Sequence, residues 1–216
     1  RTIAYLPPTR IVWQETTGSS SIEGIDKLLL PGNGQAELVG GKECVIRKRP
    51  DGKVSCLLDF GRELQGGIQI VTGQSSRKEA KVRIRFGESV SEAMCDITPE
   101  NGATNDHAIR DFHFTLPWLG VAEIGNSGFR FVRIDVEEPD IDLLLKEVRA
   151  TFGYRDIPYL GSFKSDNNRL NDIWMTGAYT VHLNMQEYIW DGVKRDRLVW
   201  IGDLHPELMT VNTVFG

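Results

Sequence analysis

Residues 187–207 read Glu-Tyr-Ile-Trp-Asp-Gly-Val-Lys-Arg-Asp-Arg-Leu-Val-Trp-Ile-Gly-Asp-Leu-His-Pro-Glu. Charges and tryptophans are interleaved here in a way that fits no single amphipathic face. In one unbroken helix, Asp191 and Asp196 would point about 140° apart. The acids of this stretch converge only if it is a loop or the end of a helix, the kind of segment that carries chemistry on a rigid scaffold. Its composition suits cleavage of a glycosidic bond, in which a protonated carboxyl donates to the leaving oxygen while a second carboxylate activates water or attacks the sugar. A free Asp titrates near ~3.9, so an acid working near pH ~6 needs roughly 3 kcal/mol of help from its surroundings. Neighbouring carboxylates and an apolar wall push in that direction. Asp191 and Asp203 are the candidate like charges, and Trp190 and Trp200 the candidate wall. Arg195 and Arg197 push the other way if they touch Asp196, so at least one must pair elsewhere. Tryptophan also packs on the C–H face of a sugar. The same residues would equally make a solvated ion-pair surface of little energetic consequence.

The elements that must position this stretch differ before and after residue 157. Residues 81–86 alternate, with Val82, Ile84 and Phe86 on one face and Lys81, Arg83 and Arg85 on the other. That is the pattern of a half-buried strand. Residues 129–136 repeat it, and further β-like runs lie at 11–14, 44–48, 54–60, 68–72, 112–116 and 148–154. Turn signals at Pro50-Asp51-Gly52, Gly66-Gly67, Asn101-Gly102 and Asn126-Ser127-Gly128 separate them. Short strands at this spacing predict an antiparallel β-sandwich, with no βαβ units. Gly18–Ser21 reads as a flexible loop. After residue 157, Leu170, Ile173, Trp174, Gly177, Ala178, Val181 and Met185 recur at steps of three and four. This predicts a helix capped by Ser165 or Asp166 and ended near residue 190 by Gly192. A second helix is expected after Asp203, with Pro206 in its first turn. Two helices cannot bury their apolar stripes on each other alone, so the natural protein is expected to continue beyond Gly216. The start at Arg1, without Met, reads as a processed or excised end.

The bulk numbers narrow the partners. The chain has 216 residues, 40% hydrophobic and 25% charged, with a net charge of −5. A nucleic-acid or anionic-membrane partner needs a concentrated positive face, which is missing. No apolar run approaches the ~20 residues of a membrane span. The three cysteines, Cys44, Cys56 and Cys95, are too few and too scattered for a disulfide framework or a zinc site. His107, His113, His182 and His205 show no paired ligand spacing. Neither a metal nor a cofactor is expected. His182 lies off the apolar stripe and reads as a polar surface or interface residue. Asn105-Asp106-His107 reads as a turn.

The pattern Asp-x-x-x-Arg-[Asp/Glu]-Arg-Leu-x-Trp-x-Gly-Asp at 191–203 resembles the signature of family 78 glycoside hydrolases, the bacterial α-L-rhamnosidases. Leu58-Asp59-Phe60-Gly61-Arg62-Glu63-Leu64-Gln65-Gly66-Gly67 resembles the opening motif of the β-sandwich that precedes their catalytic domain. Residues 82–88 and 128–134 resemble its later strands. Gly161-Ser162-Phe163 with Leu170-Asn171-Asp172-Ile173-Trp174 resembles the entry to their (α/α)6 barrel. The likeness covers residues 36–216. It implies an N-terminal strand or linker segment at 1–35, a β-sandwich at 36–157, and the first part of an (α/α)6 catalytic domain at 158–216, all within a larger bacterial multidomain protein, periplasmic or cytoplasmic. It implies an inverting hydrolase of terminal α-L-rhamnosides. By position, Asp191, Arg195, Trp200 and Asp203 are the expected sugar-binding residues. Asp196 falls where the general acid, usually Glu, is expected. Its shorter side chain leaves Glu207 as the alternative acid. The family's general base is expected beyond Gly216, so the isolated chain is expected to be inert. A carbohydrate-binding β-sandwich using Trp118 or Phe129, an (α/α)6 glycosidase acting on another sugar, and a homodimer stay open.

Overall fold

The computed structural model describes residues 1–38, 43–98, 100 and 109–216. The Asn101-Gly102 turn and the Asn105-Asp106-His107 segment lie outside the described residues. The chain divides into two compact units, one of Ala4–Phe152 and one of Arg1–Ile3 with Gly153–Gly216.

Among the described residues the first unit is mainly antiparallel β-structure. Its strands are β1 (Thr2–Leu6), β2 (Arg10–Thr16), β3 (Ser21–Glu23), β4 (Cys44–Lys48), β5 (Val54–Thr72), β6 (Glu79–Gly87), β7 (Asp111–Pro117), β8 (Val121–Val136) and β9 (Ile141–Tyr154). They follow the order β3-β4-β9-β5-β8-β6-β7, with β1 on β9 and β2 on β5. The segment 1–35 thus supplies strands to this same sheet, and the division at 35/36 has no counterpart in the compact units.

One long strand organises the sheet. Residues 54–59 of β5 pair with β2 on one side, while residues 66–72 pair with β9. β8 accompanies β5 along both halves, with register breaks between Asp59 and Leu64 and between Gly66 and Ile68. Gly66-Gly67 is therefore a bulge inside a strand, where the sequence suggests a turn. A Cβ on Gly67 would lie 2.4 Å from the Ile124 and Gly125 carbonyl oxygens, so close backbone approach demands glycine. Asn126-Ser127-Gly128 likewise lies inside β8. Both segments look like chain reversals because bulges and turns recruit the same residue types.

The core face carries the expected alternation. Val82, Ile84 and Phe86 are fully buried, and Phe86 packs edge-on against Phe129 (4.9 Å between centroids) and Phe112 (5.8 Å). The opposite face departs from a half-buried strand, because Arg85 is also buried. Its guanidinium donates to Asp96 and Asp135, each at 2.8 Å, and Arg83 clasps Asp111 with two donors at 2.8 and 2.6 Å. A short helix α1 (Val90–Met94), capped by Ser89, packs over this face, with Ala93 against Leu57 and Phe131. The Ser-rich segment is an ordered turn: Ser19 donates to Asp51 through its backbone N–H and its hydroxyl, and Ser20 is buried beneath Arg49. Cys44 and Cys56 are free and buried, and burial pushes both thiols up to about 12.

The second unit holds helices α2 (Asn168–Asn184) and α3 (Ile201–Val214). The cap of α2 is Asn167, whose side chain accepts from the Arg169 N–H, one or two residues later than expected. Ala178, Val214 and Phe215 form a small core, with Tyr159, Trp174, Met185 and Val211 around it. Gly161 lies against α3, where a Cβ would meet the Thr213 carbonyl oxygen at 2.0 Å. His182 is half-buried and makes polar contacts between segments. It joins the Tyr159 hydroxyl (3.2 Å) to the Arg155 carbonyl (2.7 Å) and packs against Phe215.

Candidate active site

Helix α2 ends at Asn184, well before Gly192. The signal was hidden because a side chain, not a glycine, stops it. Buried Gln186 donates through Nε2 to the Leu183 carbonyl (2.8 Å) and the Gly153 carbonyl (3.1 Å), satisfying an end carbonyl that the helix leaves open. The chain then turns sharply, with Met185 bridged to Ile189, and Trp190 donates its N–H to the Asn184 carbonyl. From Trp190 to Trp200 it runs as a loop, so the carboxyls at 191 and 196 do sit on non-helical backbone.

Asp191 closes this loop twice. Its N–H donates to the Leu198 carbonyl at 2.9 Å, and its Oδ1 accepts from the Leu198 N–H at 2.8 Å. Within the closed segment Asp196 and Arg197 both take left-handed backbone, at φ 62° and 54°. Such conformations in non-glycine residues cost on the order of 1 kcal/mol each and cluster at functional sites. Arg195 Nε lies 3.7 Å from Asp196 Oδ2, an exposed pairing of small energetic weight. Arg197 takes the other course: its guanidinium lies 5.2 Å over the ring of buried Trp190, and its Nε donates to the Val193 carbonyl at 3.0 Å. A guanidinium over an indole face is a favourable cation–π contact. Burial, then the charge of Arg1, lowers the Arg197 pKa, and Glu187 opposes them.

Helix α3 starts at Ile201, earlier than expected. Its N-cap is Trp200, which offers no capping side chain, so the sequence carries no start signal there. Asp203 consequently lies in the first turn, where the helix N-terminus favours an anion. Pro206 falls deeper inside the helix. Glu207 follows Asp203 by four residues, on the same face. Glu207 is buried, and burial pushes its carboxyl up; the carboxylates of Asp203 and Asp191 add to the rise.

The charges of Asp203 and then Asp191 reach buried Glu207, while Asp203 itself is exposed and Asp191 half-buried. Asp196, Arg195 and Trp200 remain exposed on the loop, Trp200 at 50%. The sequence reading missed Arg197 as a structural member of the site, and only its place between Trp190 and Trp200 hints at stacking. Among the described residues no group of three or more His, Cys, Asp or Glu is arranged to hold a metal, and no helix is long and apolar enough to cross a membrane. Of the alternative binding aromatics, Trp118 is 39% exposed. Phe129 is fully buried between Phe60 and Phe86, and Trp118 spends its indole N–H on the Ser75 carbonyl.

The chain thus comprises a mainly antiparallel β unit and a unit with two helices. Residues 158–216 match the family model described as the bacterial alpha-L-rhamnosidase 6 hairpin glycosidase domain. No curated protein matches the chain. Among solved structures, a rhamnosidase from Klebsiella oxytoca with rhamnose bound is 17% identical, with TM-score 0.70 over 99% of this chain and 41% of its own. A family 78 rhamnosidase of Bacillus sp. GL1 is 21% identical, with TM-score 0.68 over 88% of this chain and 19% of its own. An α-L-rhamnosidase from Aspergillus terreus is 24% identical, with TM-score 0.53 over 76% of this chain and 18% of its own. At these identities the likeness is one of fold. The resemblance to family 78 rhamnosidases read from the sequence is borne out, by the family model over residues 158–216 and in fold over nearly the whole chain. The chain spans less than half the length of these relatives.

Proposed function

We propose that this chain is part of a longer inverting glycoside hydrolase that releases terminal α-L-rhamnose, and that its carboxyl cluster supplies the acid side of the reaction. The observation that carries this reading is Glu207, a buried carboxyl pushed up by burial and then by the charges of Asp203 and Asp191. A carboxyl that keeps its proton above the ordinary range is what leaving-group protonation requires. In this reading Glu207 donates the proton, Asp191 and Asp203 accept hydrogen bonds from sugar hydroxyls, and Trp200 covers the sugar's apolar face. Arg195 binds at the rim. A second reading, favoured by motif position and by the left-handed backbone that presents it, gives the proton to Asp196. The general base lies on further helices of an (α/α)6 domain. Exposed Ile173, Met175, Ile201 and Met209 are the side chains those helices would cover.

The test compares Glu207→Gln and Asp196→Asn in the full-length protein, on aryl α-L-rhamnosides with good and poor leaving groups. Loss of the proton donor slows the poor leaving group by about 10²-fold or more and spares the good one. Glu207→Gln is expected to show that split. The split in Asp196→Asn alone transfers the role to Asp196. Full turnover in both variants removes the cluster from the mechanism, and retained anomeric configuration in the product contradicts inversion.

A further inference from the structure

We infer that Arg197 is a positioning residue of the candidate site: by folding back over Trp190 it keeps the 191–198 loop closed, and so fixes where Asp191 stands relative to Glu207 on α3. The inference rests on the carboxyl-cluster reading above. Three contacts carry it. The guanidinium covers the Trp190 ring at 5.2 Å, and Trp190 is itself buried and tied by its N–H to the end of α2. Arg197 Nε holds the Val193 carbonyl at 3.0 Å, across the loop. Leu198, the next residue, donates to Asp191 Oδ1 and accepts from the Asp191 N–H. Asp191 is therefore tied on one side to the residue after Arg197 and preceded on the other by the ring beneath Arg197. Lysine keeps the charge but has neither the planar face nor the Nε donor at that geometry. The left-handed backbone at Asp196 and Arg197 needs restraint to persist, and the ring and the two carbonyl-bound ends of the loop provide it.

The two ways in which Arg197 can act have opposite signs on Glu207, which makes the inference testable without turnover. A nearby positive charge lowers a carboxyl's pKa, so removing it as a charge alone raises the Glu207 midpoint. If Arg197 instead holds Asp191 in place, losing it lets Asp191 move away, and the midpoint falls. The experiment is a carbon-13 NMR titration of the Glu207 side-chain carboxyl in the native chain, Arg197→Lys, Arg197→Gln and Trp190→Phe, with thermal melting to confirm folding. The expected result is a fall of the Glu207 midpoint in both Arg197 variants. A smaller fall is expected in Trp190→Phe, which keeps a ring and decides the matter if neither Arg197 variant folds. An unchanged midpoint in Arg197→Lys with a raised one in Arg197→Gln overturns the inference, as does an unchanged midpoint in all folded variants. A native Glu207 midpoint at or below the ordinary 4.5 overturns the carboxyl-cluster reading itself, separately from the role of Arg197.

Discussion

Two buried carboxyls, one in each compact unit, are driven in opposite directions. Asp59 in the β unit is clasped by Arg130 through two donors at 2.8 and 3.0 Å, joined by Arg10 at 3.0 Å and by the Gly61 N–H at 2.7 Å. The Arg130 guanidinium, above all, holds it below the usual carboxylate range, against the opposing effect of burial. Glu207 in the helical unit faces burial and two further carboxylates, and its carboxyl is pushed up. One group is kept charged and satisfied, as a structural tie should be. The other has its charged form disfavoured, which costs stability above its ordinary pKa and suits a place where a proton has a use. The backbone follows the same division at these places. Beside Asp59 the left-handed residue is Gly61, at φ 85°, whereas in the site loop it is Asp196 and Arg197.

The largest effect is expected from breaking the structural tie. Asp59→Asn removes the charge and one of the two acceptor oxygens that hold both arginines, and is predicted to cost about 2 kcal/mol in chemical denaturation, less than a wholly buried pair because both guanidinia reach solvent. The sign of its pH dependence is fixed: the stability that Asp59 contributes is present above its ordinary 3.8 and is lost as pH falls through its lower folded value. An Asp59→Asn variant as stable as the native chain at neutral pH would mean that the tie is ornamental.

Glu207→Gln sharpens the comparison from the other side, with a smaller effect of opposite sign. Because ionising Glu207 costs stability, the substitution is predicted to raise the melting temperature of the helical unit at neutral pH by roughly 2–4 °C. The gain fades as pH falls through the raised Glu207 midpoint and is gone below 4.5, where folded and unfolded chains alike hold the proton. A loss of stability at neutral pH would place Glu207 with Asp59, as a structural group.

Much of this contrast was legible in the residues, and the illegible parts share a cause. Strands such as 81–86 and the 129–136 part of β8 follow from alternation, because one face is core. Gly66-Gly67 misleads because a bulge and a turn want the same residue. The end of α2 and the start of α3 were misplaced because Gln186 caps the former through a tertiary bond to Gly153, and Trp200 starts the latter without any capping side chain. Those two shifts matter to the site. With α3 begun at Ile201, Asp203 and Glu207 fall one turn apart on a helix, and the cluster appears. The list of acids could be read from the motif, but which of them is buried depends on packing that no local spacing encodes.

The account stands most directly on the protonation of Glu207. A carbon-13 NMR titration of the native chain that resolves the Glu207 and Asp59 carboxyls would test it. The account predicts a Glu207 midpoint above its ordinary 4.5 and an Asp59 midpoint below its ordinary 3.8. A Glu207 carboxyl that titrates at or below 4.5 would contradict it.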